Sequence, residues 1–312
     1  MSIKVERKLH DMRILGRIVR VRSTEQFVWH LLTPTLFYTF KEESTMITWN
    51  NLDTLEAFKN LSKAERVNIA EAMSGENGAE RVKTYSTPMA EGLAYNYAAK
   101  QVDDKLLDDL QKLADEAQLT EKFEALYNGE VINTGEKRMV LHHLTRGQLG
   151  EAVNADGTDK RAFYKEQQQK IADFANKVHA GEITNAAGEK FTTVVQIGIG
   201  GSDLGPRAMY LALENWAKKN DTFKMEAKFI SNVDPDDAAA VLYGIDVAHS
   251  IFILVSKSGT TLETLTNESF VKDALKNAGL DASKHMIAVT SETSPLAKSD
   301  DYLAAFFMDD YI

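Results

Sequence analysis

Hydroxyl and ammonium groups are concentrated in one short stretch, residues 256–264, which reads Ser-Lys-Ser-Gly-Thr-Thr-Leu-Glu-Thr and follows a run of five apolar residues. If a helix begins within this stretch, its hydroxyls, main-chain N–H groups and helix dipole can act on one anion. The Gly-Lys-Ser/Thr motif of a P-loop is missing, which argues against a nucleoside triphosphate. The stretch therefore predicts a site for a monophosphate such as a sugar phosphate. The alternative is an ordinary polar turn that caps a helix.

Glycines are concentrated in a second stretch, residues 198–206, which reads Gly-Ile-Gly-Gly-Ser-Asp-Leu-Gly-Pro and also follows an apolar run. Three glycines in four residues let the main chain approach a ligand closely, and the N–H groups of a following helix would point at that ligand. A dinucleotide-binding fingerprint would need glycine at position 203, where the sequence has Asp203, so a Rossmann cofactor site is disfavoured. The alternative is a tight turn in which Asp203 caps the helix.

A parallel sheet would position both turns. After residue 190, apolar runs of strand length alternate with amphipathic segments of helix length, and runs that are apolar at consecutive positions indicate strands buried on both faces. This pattern predicts an α/β fold with a doubly wound, mainly parallel sheet of about five strands, whose ligands bind beyond the carboxyl ends of the strands. The predicted strands are 193–197, 227–231, 251–255, 286–290 and 304–308, and the helices begin near Asp203, Asp234, Thr261 and Pro295.

The region before this sheet has helical periodicity. Leu106, Leu110 and Leu113 recur at the spacing of one buried helix face. We therefore expect a helical N-terminal region over 46–185 and an α/β domain over 186–312. The predicted helical stretches of the first region are 52–61, 63–73, 103–117, 121–127 and 160–178.

Residues 1–45 differ in composition from the rest of the chain. They carry a net charge of +3, whereas residues 46–312 carry −13. A transmembrane anchor is disfavoured because the apolar run contains His30 and Pro34 and is shorter than the ~20 residues of a span. A signal peptide is disfavoured because no small-residue cleavage site follows the apolar run. A transit peptide is disfavoured because the segment contains acidic residues at Glu6, Asp11 and Glu25. We expect an atypical basic leader that is not native to the fold, with Met46 as the natural start.

The composition excludes several classes of function. With 44% hydrophobic and 26% charged residues, the chain has the composition of a folded protein rather than a disordered one. The absence of cysteine excludes disulfides, thiolate metal sites and cysteine nucleophiles, and it suits a reducing compartment such as the cytoplasm. The net charge of −10 disfavours nucleic acid and anionic membranes as partners.

No cofactor or metal site is predicted. His142 and His143 are adjacent, so their side chains diverge in a helix or a strand, and we interpret them as packing or surface residues. Three acidic doublets near turns are interpreted as solvated caps rather than metal ligands. These doublets are Asp236 with Asp237, Asp300 with Asp301, and Asp309 with Asp310.

The two turns together resemble the first sugar-isomerase (SIS) domain of the glucose-6-phosphate isomerase family. The motifs are GIGGSDLGP at 198–206 and SKSGTTLET at 256–264, and lesser similarities occur at 138–142, 229–234 and 308–312. The resemblance extends from about Met46 to Ile312 in the family's order. Two positions depart from it, because threonine is frequent in the family at Ser258 and a larger residue is common at Gly259.

This resemblance implies the ligand and the residues that hold it. Gly201 and Ser202 would touch the substrate, a sugar 6-phosphate. The family opens the sugar ring and then transfers a proton between C1 and C2 through an enediol, which interconverts glucose 6-phosphate and fructose 6-phosphate without a cofactor. The positions that would bind the 6-phosphate are Ser256, Lys257, Ser258 and Thr261.

The resemblance also implies where the catalytic residues belong. The family's glutamate base, its histidine and lysine for ring opening and its arginine over the enediolate are all expected beyond Ile312, and we expect the second sugar-isomerase domain to be absent from residues 1–312. Among the local carboxylates, Glu263 is interpreted as a helix N-terminal group rather than a base. We therefore expect an N-terminal portion that holds the phosphate but is inactive as an isomerase.

Two hypotheses of different classes remain. In the first, the chain is part of a cytoplasmic aldose-ketose isomerase of glycolysis and gluconeogenesis, which forms a homodimer at full length. In the second, the chain is a stand-alone sugar-phosphate-binding module without catalysis. A regulator of that second kind would need a basic DNA-binding segment, and the only basic segment, residues 1–45, lacks a clear two-helix pattern.

Overall fold

The computed structural model describes residues 46–146 and 159–312. The chain divides between Ala125 and Leu126 into two compact units. The leader expected over residues 1–45 lies outside the described residues. The limits 46–185 and 186–312 stay predictions, because a compact unit need not coincide with a domain.

Over its described residues, 46–125, the first unit consists of helices and one antiparallel hairpin. Glu116 stabilises the start of the first helix, because its carboxylate oxygens accept hydrogen bonds from the N–H groups of Glu56 at 3.0 Å and Ala57 at 2.7 Å. Arg81 is buried and donates to the carbonyls of Ala98, Lys100 and Val102. The elements are α1 (Glu56–Leu61), α2 (Ile69–Ala72), α3 (Gly75–Thr84), β1 (Ser86–Pro88), β2 (Ala94–Asn96) and α4 (Asp104–Glu116), followed by α5 (Leu119–Tyr127) across the division between the units.

One helix predicted in this unit is much shorter than expected. The prediction of a helix over 63–73 is wrong for its first half, because the helix spans only Ile69–Ala72. Its start is set by Asn68, whose side-chain oxygen accepts from the N–H of Ala70 at 3.1 Å. An Asn side chain that caps a helix in this way keeps its own backbone extended and excludes the preceding residues from the helix.

The second unit is built on a parallel sheet. Its helix α6 (Lys160–Ala180) is followed by alternating strands and helices. The sheet has the order β4-β3-β5-β6-β7 with every pair parallel. Its elements are β3 (Thr193–Ile197), α7 (Gly201–Lys219), β4 (Glu226–Ile230), α8 (Pro235–Tyr243), β5 (Ser250–Val255), α9 (Leu262–Asn277), β6 (Met286–Ser291) and β7 (Ala304–Met308).

Helices cover both faces of this sheet, as consecutive apolar strand residues require. On one face, Phe252 and Leu254 of β5 pack with Val271 and Leu275 of α9, all fully buried. On the other face, Ile251 packs with residues of α6, including Val178. The predicted α/β fold with its five-stranded parallel sheet is confirmed, and each strand begins and ends within one residue of its predicted limits.

The connection before the last strand differs from the prediction. Instead of a helix, residues Pro295–Lys298 form a single 3-10 turn, capped by the Ser294 hydroxyl, which accepts from the N–H of Leu296 at 3.0 Å. The connection between Ser291 and Ala304 has twelve residues, which is near the lower limit for a crossover between parallel strands. Within residues 46–146 and 159–312, no helix combines the length and the apolar character that a membrane crossing requires.

A histidine between two carboxylates lies at the amino-terminal edge of the sheet, just before β5. His249 Nδ1 is 2.8 Å from Asp246 Oδ2, and its Nε2 is 3.0 Å from Glu189 Oε2. The hydrogen bond to Asp246, together with the charges of Asp246 and Glu189, raises the pKa of His249 despite partial desolvation. A raised pKa in the folded state means that the protonated histidine favours folding.

We predict that His249→Gln lowers the melting temperature more at about pH 5.5 than at about pH 8.5. The stabilisation is fully present below the unfolded pKa of about 6.5, and it is lost as the pH rises through the raised folded pKa. Thermal unfolding of both proteins at the two pH values measures the difference. In an Asp246→Asn background the pH dependence should shrink, and an equal effect of His249→Gln at both pH values would contradict the interpretation.

Candidate functional site

The strand order places a crevice between β3 and β5. The chain runs from β3 to β4 on one side and then returns to β5 on the other side, so the direction of winding reverses between these neighbours. Such a reversal separates the following connections and opens a crevice at the carboxyl ends of the strands. Ile197 and Leu254 are paired there, so the turns that begin at Gly198 and Ser256 lie side by side. The fold thus brings together the two turns that the sequence singled out.

The first turn depends on glycine at two positions. A Cβ on Gly198 would lie 2.6 Å from the main-chain oxygen of Ser202, so only glycine fits. Gly200 has a φ of +59° and directly precedes α7. A Cβ on Gly201 would meet no atom within 4 Å, so the space in front of Gly201 is open. The turn exposes main chain beside an open volume.

Asp203 does not cap the helix, contrary to the alternative considered for this turn. It lies in the first turn of α7, is buried, and its carboxylate accepts from Arg207 Nε at 3.0 Å. The Arg207 guanidinium in turn lies over the ring of Phe229, 4.9 Å from its centroid. The charge of Asp203 is therefore balanced by Arg207, so it repels an anion in the crevice less than an unpaired carboxylate would.

The second turn is held by its own hydroxyl groups. The buried Ser256 Oγ donates to Thr261 Oγ1 at 3.1 Å and accepts from the N–H of Gly259 at 3.1 Å. Ser258 Oγ accepts from the N–H of Thr260 at 3.2 Å and from its hydroxyl at 3.0 Å. These bonds fix the turn in one conformation before any ligand binds.

The same turn is fastened to the end of β6. The N–H of Ser291 donates to the Lys257 carbonyl at 3.0 Å, and Thr290 Oγ1 donates to the Ser256 carbonyl at 2.7 Å. Gly259 has a φ of +66°, and a Cβ there would collide with Ser294 Oγ. Ser294 Oγ cannot move away cheaply, because it lies 2.6 Å from Thr290 Oγ1 and accepts a hydrogen bond from the N–H of Leu296. Glycine at position 259 is therefore required by this arrangement.

The helices that begin at the crevice lack side-chain caps. Neither Gly200, which precedes α7, nor Thr261, which precedes α9, has a side chain that accepts from the first N–H groups of its helix. In the same unit, Asp159 caps α6 and Asp234 caps α8. First-turn N–H groups that no side chain satisfies, at the positive end of a helix dipole, are suited to an anion.

A group of positive charges near the second turn was not found by reasoning from the residues. Partial burial, together with the charges of Arg146 and Lys257, lowers the pKa of His142. Lys257 Nζ donates to the main-chain oxygen of Ile312 at 2.8 Å. In the sequence the tract 138–142 stands out only as a family similarity, because its proximity to Lys257 depends on tertiary structure. These charges add to the attraction for an anion at this edge of the sheet.

The remaining candidate groups have structural contacts. His143 stacks on the ring of Tyr127 at a centroid distance of 5.1 Å, and its Nε2 is 3.1 Å from the Tyr127 carbonyl oxygen. Asp309 is buried and paired with Lys160, so its interpretation as a solvated cap is wrong. In the part of the chain that the structure describes, no three His, Asp or Glu side chains are grouped to hold a metal ion.

An apolar cavity of about 520 Å³ lies elsewhere, between α6, α7 and one face of the sheet. Its walls are mainly hydrocarbon, with Phe174, Met209, Leu213, Ile253 and Phe306 among them. A charged, hydroxyl-rich ligand would lose its hydration there without gaining hydrogen bonds. The crevice between β3 and β5 remains the candidate site.

The structure places the six predicted binding residues on the two adjacent turns. Gly201 and Ser202 begin α7, and the others lie between the end of β5 and the start of α9. These others are Ser256, Lys257, Ser258 and Thr261. Contact of the six residues with a substrate stays a prediction.

Comparisons with known proteins agree on one family. The sequence profile of phosphoglucose isomerase matches residues 96–307. Glucose-6-phosphate isomerases from Treponema denticola and Treponema pallidum are 58% and 50% identical to this chain over 269 and 270 residues, which cover 85% of it. The crystal structure of a glucose-6-phosphate isomerase from Chlamydia trachomatis has a TM-score of 0.67 and 34% identity over 84% of this chain.

The similarity extends over only part of each relative. The matched region amounts to 50% of both Treponema proteins and 49% of the Chlamydia chain. The chain thus spans about half the length of these relatives, and the match includes both turns of the crevice. On the profile match and on this degree of identity, the chain belongs to the phosphoglucose isomerase family.

Proposed function

We propose that this chain is the sugar-phosphate-binding part of a glucose-6-phosphate isomerase, with the phosphate group held between the turns that follow β3 and β5. One observation carries the proposal. Two donor-rich turns meet at the crevice, and both helices that begin there lack a side-chain cap. Donors that are fixed in advance bind an anion without a large ordering cost.

The hydroxyl network of the second turn is suited to phosphate. Thr261 Oγ1 accepts from Ser256, and Ser258 Oγ accepts twice from Thr260. Each hydroxyl has one proton to donate, and these bonds leave the protons of Thr261 and Ser258 available for phosphate oxygens. The ammonium of Lys257 has two further N–H groups besides the one that binds Ile312. Together these groups provide charge-assisted hydrogen bonds.

The first turn would receive the sugar. Gly201 borders open space, so its main-chain N–H can be approached closely by a hydroxyl of the ligand. Ser202 follows in α7 and adds a second donor and acceptor beside it. In this arrangement the phosphate lies at the β5 side of the crevice and the carbon atoms of the sugar lie towards β3.

We further propose that the chain alone binds its ligand without turnover. Isomerisation through an enediol needs a carboxylate within reach of C1 and C2 and a group that opens the ring. Three carboxylates near this edge are already engaged, since Asp203 binds Arg207, Asp309 binds Lys160 and Asp310 accepts from Ser291. These contacts orient each carboxylate towards a protein partner rather than towards a substrate carbon.

The family suggests the biological setting. A glucose-6-phosphate isomerase would act in glycolysis and gluconeogenesis in the cytoplasm, as a homodimer at full length and without a cofactor. The alternative, a stand-alone sugar-phosphate-binding module, would use the same crevice. Sequencing the gene beyond the codon for Ile312 distinguishes them, because a continuing isomerase frame supports the first hypothesis only.

Replacement of Lys257 tests the phosphate site. We predict that Lys257→Ala weakens glucose 6-phosphate binding by about tenfold or more, because a hydrogen bond to a charged partner contributes about 1.5–3 kcal/mol. Isothermal titration calorimetry measures the dissociation constant. Lys284→Ala, which alters an exposed lysine near the opposite edge of the sheet, is the matched control. Equal losses for glucose and glucose 6-phosphate would show that Lys257 does not bind phosphate.

An activity assay tests the second part of the proposal. Purified chain from a host without its own isomerase should form no fructose 6-phosphate above background in a coupled assay. General acid and base groups each contribute about 10²–10⁴-fold, and binding alone does not replace them. Turnover near that of a complete isomerase would contradict the proposal, and loss of that turnover in Glu263→Gln would identify the base.

A further inference from the structure

One face of α6 presents polar side chains to the last strand of the sheet. Lys160, Tyr164 and Gln167 are spaced by four and three residues, which places them on one side of the helix. Gln167 Oε1 accepts from the N–H of Phe307 at 3.1 Å, and Gln167 is only 5% exposed. This contact satisfies a main-chain donor on the edge strand β7, a kind of group that is otherwise left unpaired.

The same helix face holds a buried carboxylate immediately after β7. Asp309 is 8% exposed, and its Oδ2 accepts from Tyr164 Oη at 2.8 Å. Lys160 Nζ lies 3.2 Å from the same oxygen. Burial, together with the hydrogen bond to Asp309, raises the pKa of Tyr164, which keeps the phenol protonated as a donor. A buried charge needs such partners, because its loss of hydration is otherwise uncompensated.

The residues that follow connect this buried pair to the second turn of the crevice. We call residues 309–312 the exit segment. Asp310 Oδ1 accepts from Ser291 Oγ at 2.8 Å, at the end of β6 that also fastens the turn. The Tyr311 carbonyl accepts from the N–H of Leu141 at 2.9 Å. The main-chain oxygen of Ile312 accepts from Lys257 Nζ at 2.8 Å.

We infer that Asp309 is a positioning residue for the crevice. Lys160 and Tyr164 fix the Asp309 carboxylate, the carboxylate fixes the exit segment, and the exit segment holds the Lys257 ammonium and the end of β6 in place. A lysine side chain is flexible, so restraining it reduces the entropy that ligand binding must otherwise remove. The link to phosphate binding rests on the proposed function, whereas the ordering of the turn does not.

A second cluster of the same composition in this unit provides a control. Glu268 of α9 is 6% exposed, accepts from Tyr302 Oη at 2.6 Å and lies 3.0 Å from Lys272 Nζ. Both clusters therefore combine a buried carboxylate, a tyrosine and a lysine, and both lie in the second unit. The partners of Glu268 in these contacts, Tyr302 and Lys272, belong neither to the exit segment nor to the second turn. Replacing Glu268 should therefore destabilise the fold without loosening the crevice.

Hydrogen–deuterium exchange of the full chain without ligand tests the inference. We expect Asp309→Asn to speed exchange in peptides that cover 256–261 and the exit segment by roughly tenfold, relative to a β5 core peptide that reports global unfolding. Glu268→Gln should leave that ratio unchanged. If Asp309→Asn does not fold, Tyr164→Phe keeps the ion pair and should raise the ratio by a smaller factor. An unchanged ratio in the folded variant overturns the inference.

Binding is measured separately so that two failures can be told apart. Asp309→Asn should raise the dissociation constant for glucose 6-phosphate about fivefold or more, and Glu268→Gln should not. If exchange accelerates but affinity is unchanged, Asp309 orders the turn without serving the ligand, and the positioning role is overturned. If the unaltered chain binds no sugar phosphate, the proposed function fails, while the exchange ratio still decides whether Asp309 orders the turn.

Discussion

The parallel pairing of β3 with β5 is the constraint on which the rest of the structure depends. Their register sets Ile197 opposite Leu254, and this alone brings two turns that are more than fifty residues apart in sequence to one edge. Because β4 lies on the other side of β3, the connections diverge and leave a crevice. Both helices then start at the crevice, so their dipoles act on the same volume.

The crevice is ordered by contacts that are remote from any ligand. The turn after β5 is held from within by Ser256 and from outside by β6, so its donors point one way before binding. The exit segment adds a connection from α6. These contacts favour anion binding, because a rigid set of donors loses little conformational entropy when an anion binds. They also engage the nearby carboxylates of Asp309 and Asp310 with protein partners.

Elements with strong local signals are predictable from the sequence, whereas features that depend on residues distant in the chain are not. Apolar runs predicted all five strands of the sheet, most clearly 251–255, which is apolar at five consecutive positions because helices cover both faces of the sheet. The helix expected over 63–73 was mostly wrong, because one cap at Asn68 outweighed helical periodicity. In the sequence, Asp309 with Asp310 looks like the other acidic doublets. Only the contact of Asp309 with Lys160, 149 residues away, identifies Asp309 as a buried, paired carboxylate. The charges near His142 were hidden for the same reason.

The central claim is that the crevice between β3 and β5 binds the phosphate of a sugar phosphate. Two-dimensional ¹H–¹⁵N NMR of the labelled chain during titration with glucose 6-phosphate tests it most directly. The amide signals of Gly201, Ser202 and residues 256–261 should shift together along one binding curve, with smaller changes elsewhere. Shifts confined to the apolar cavity between α6 and α7, or no saturable shift at the two turns, would contradict the claim.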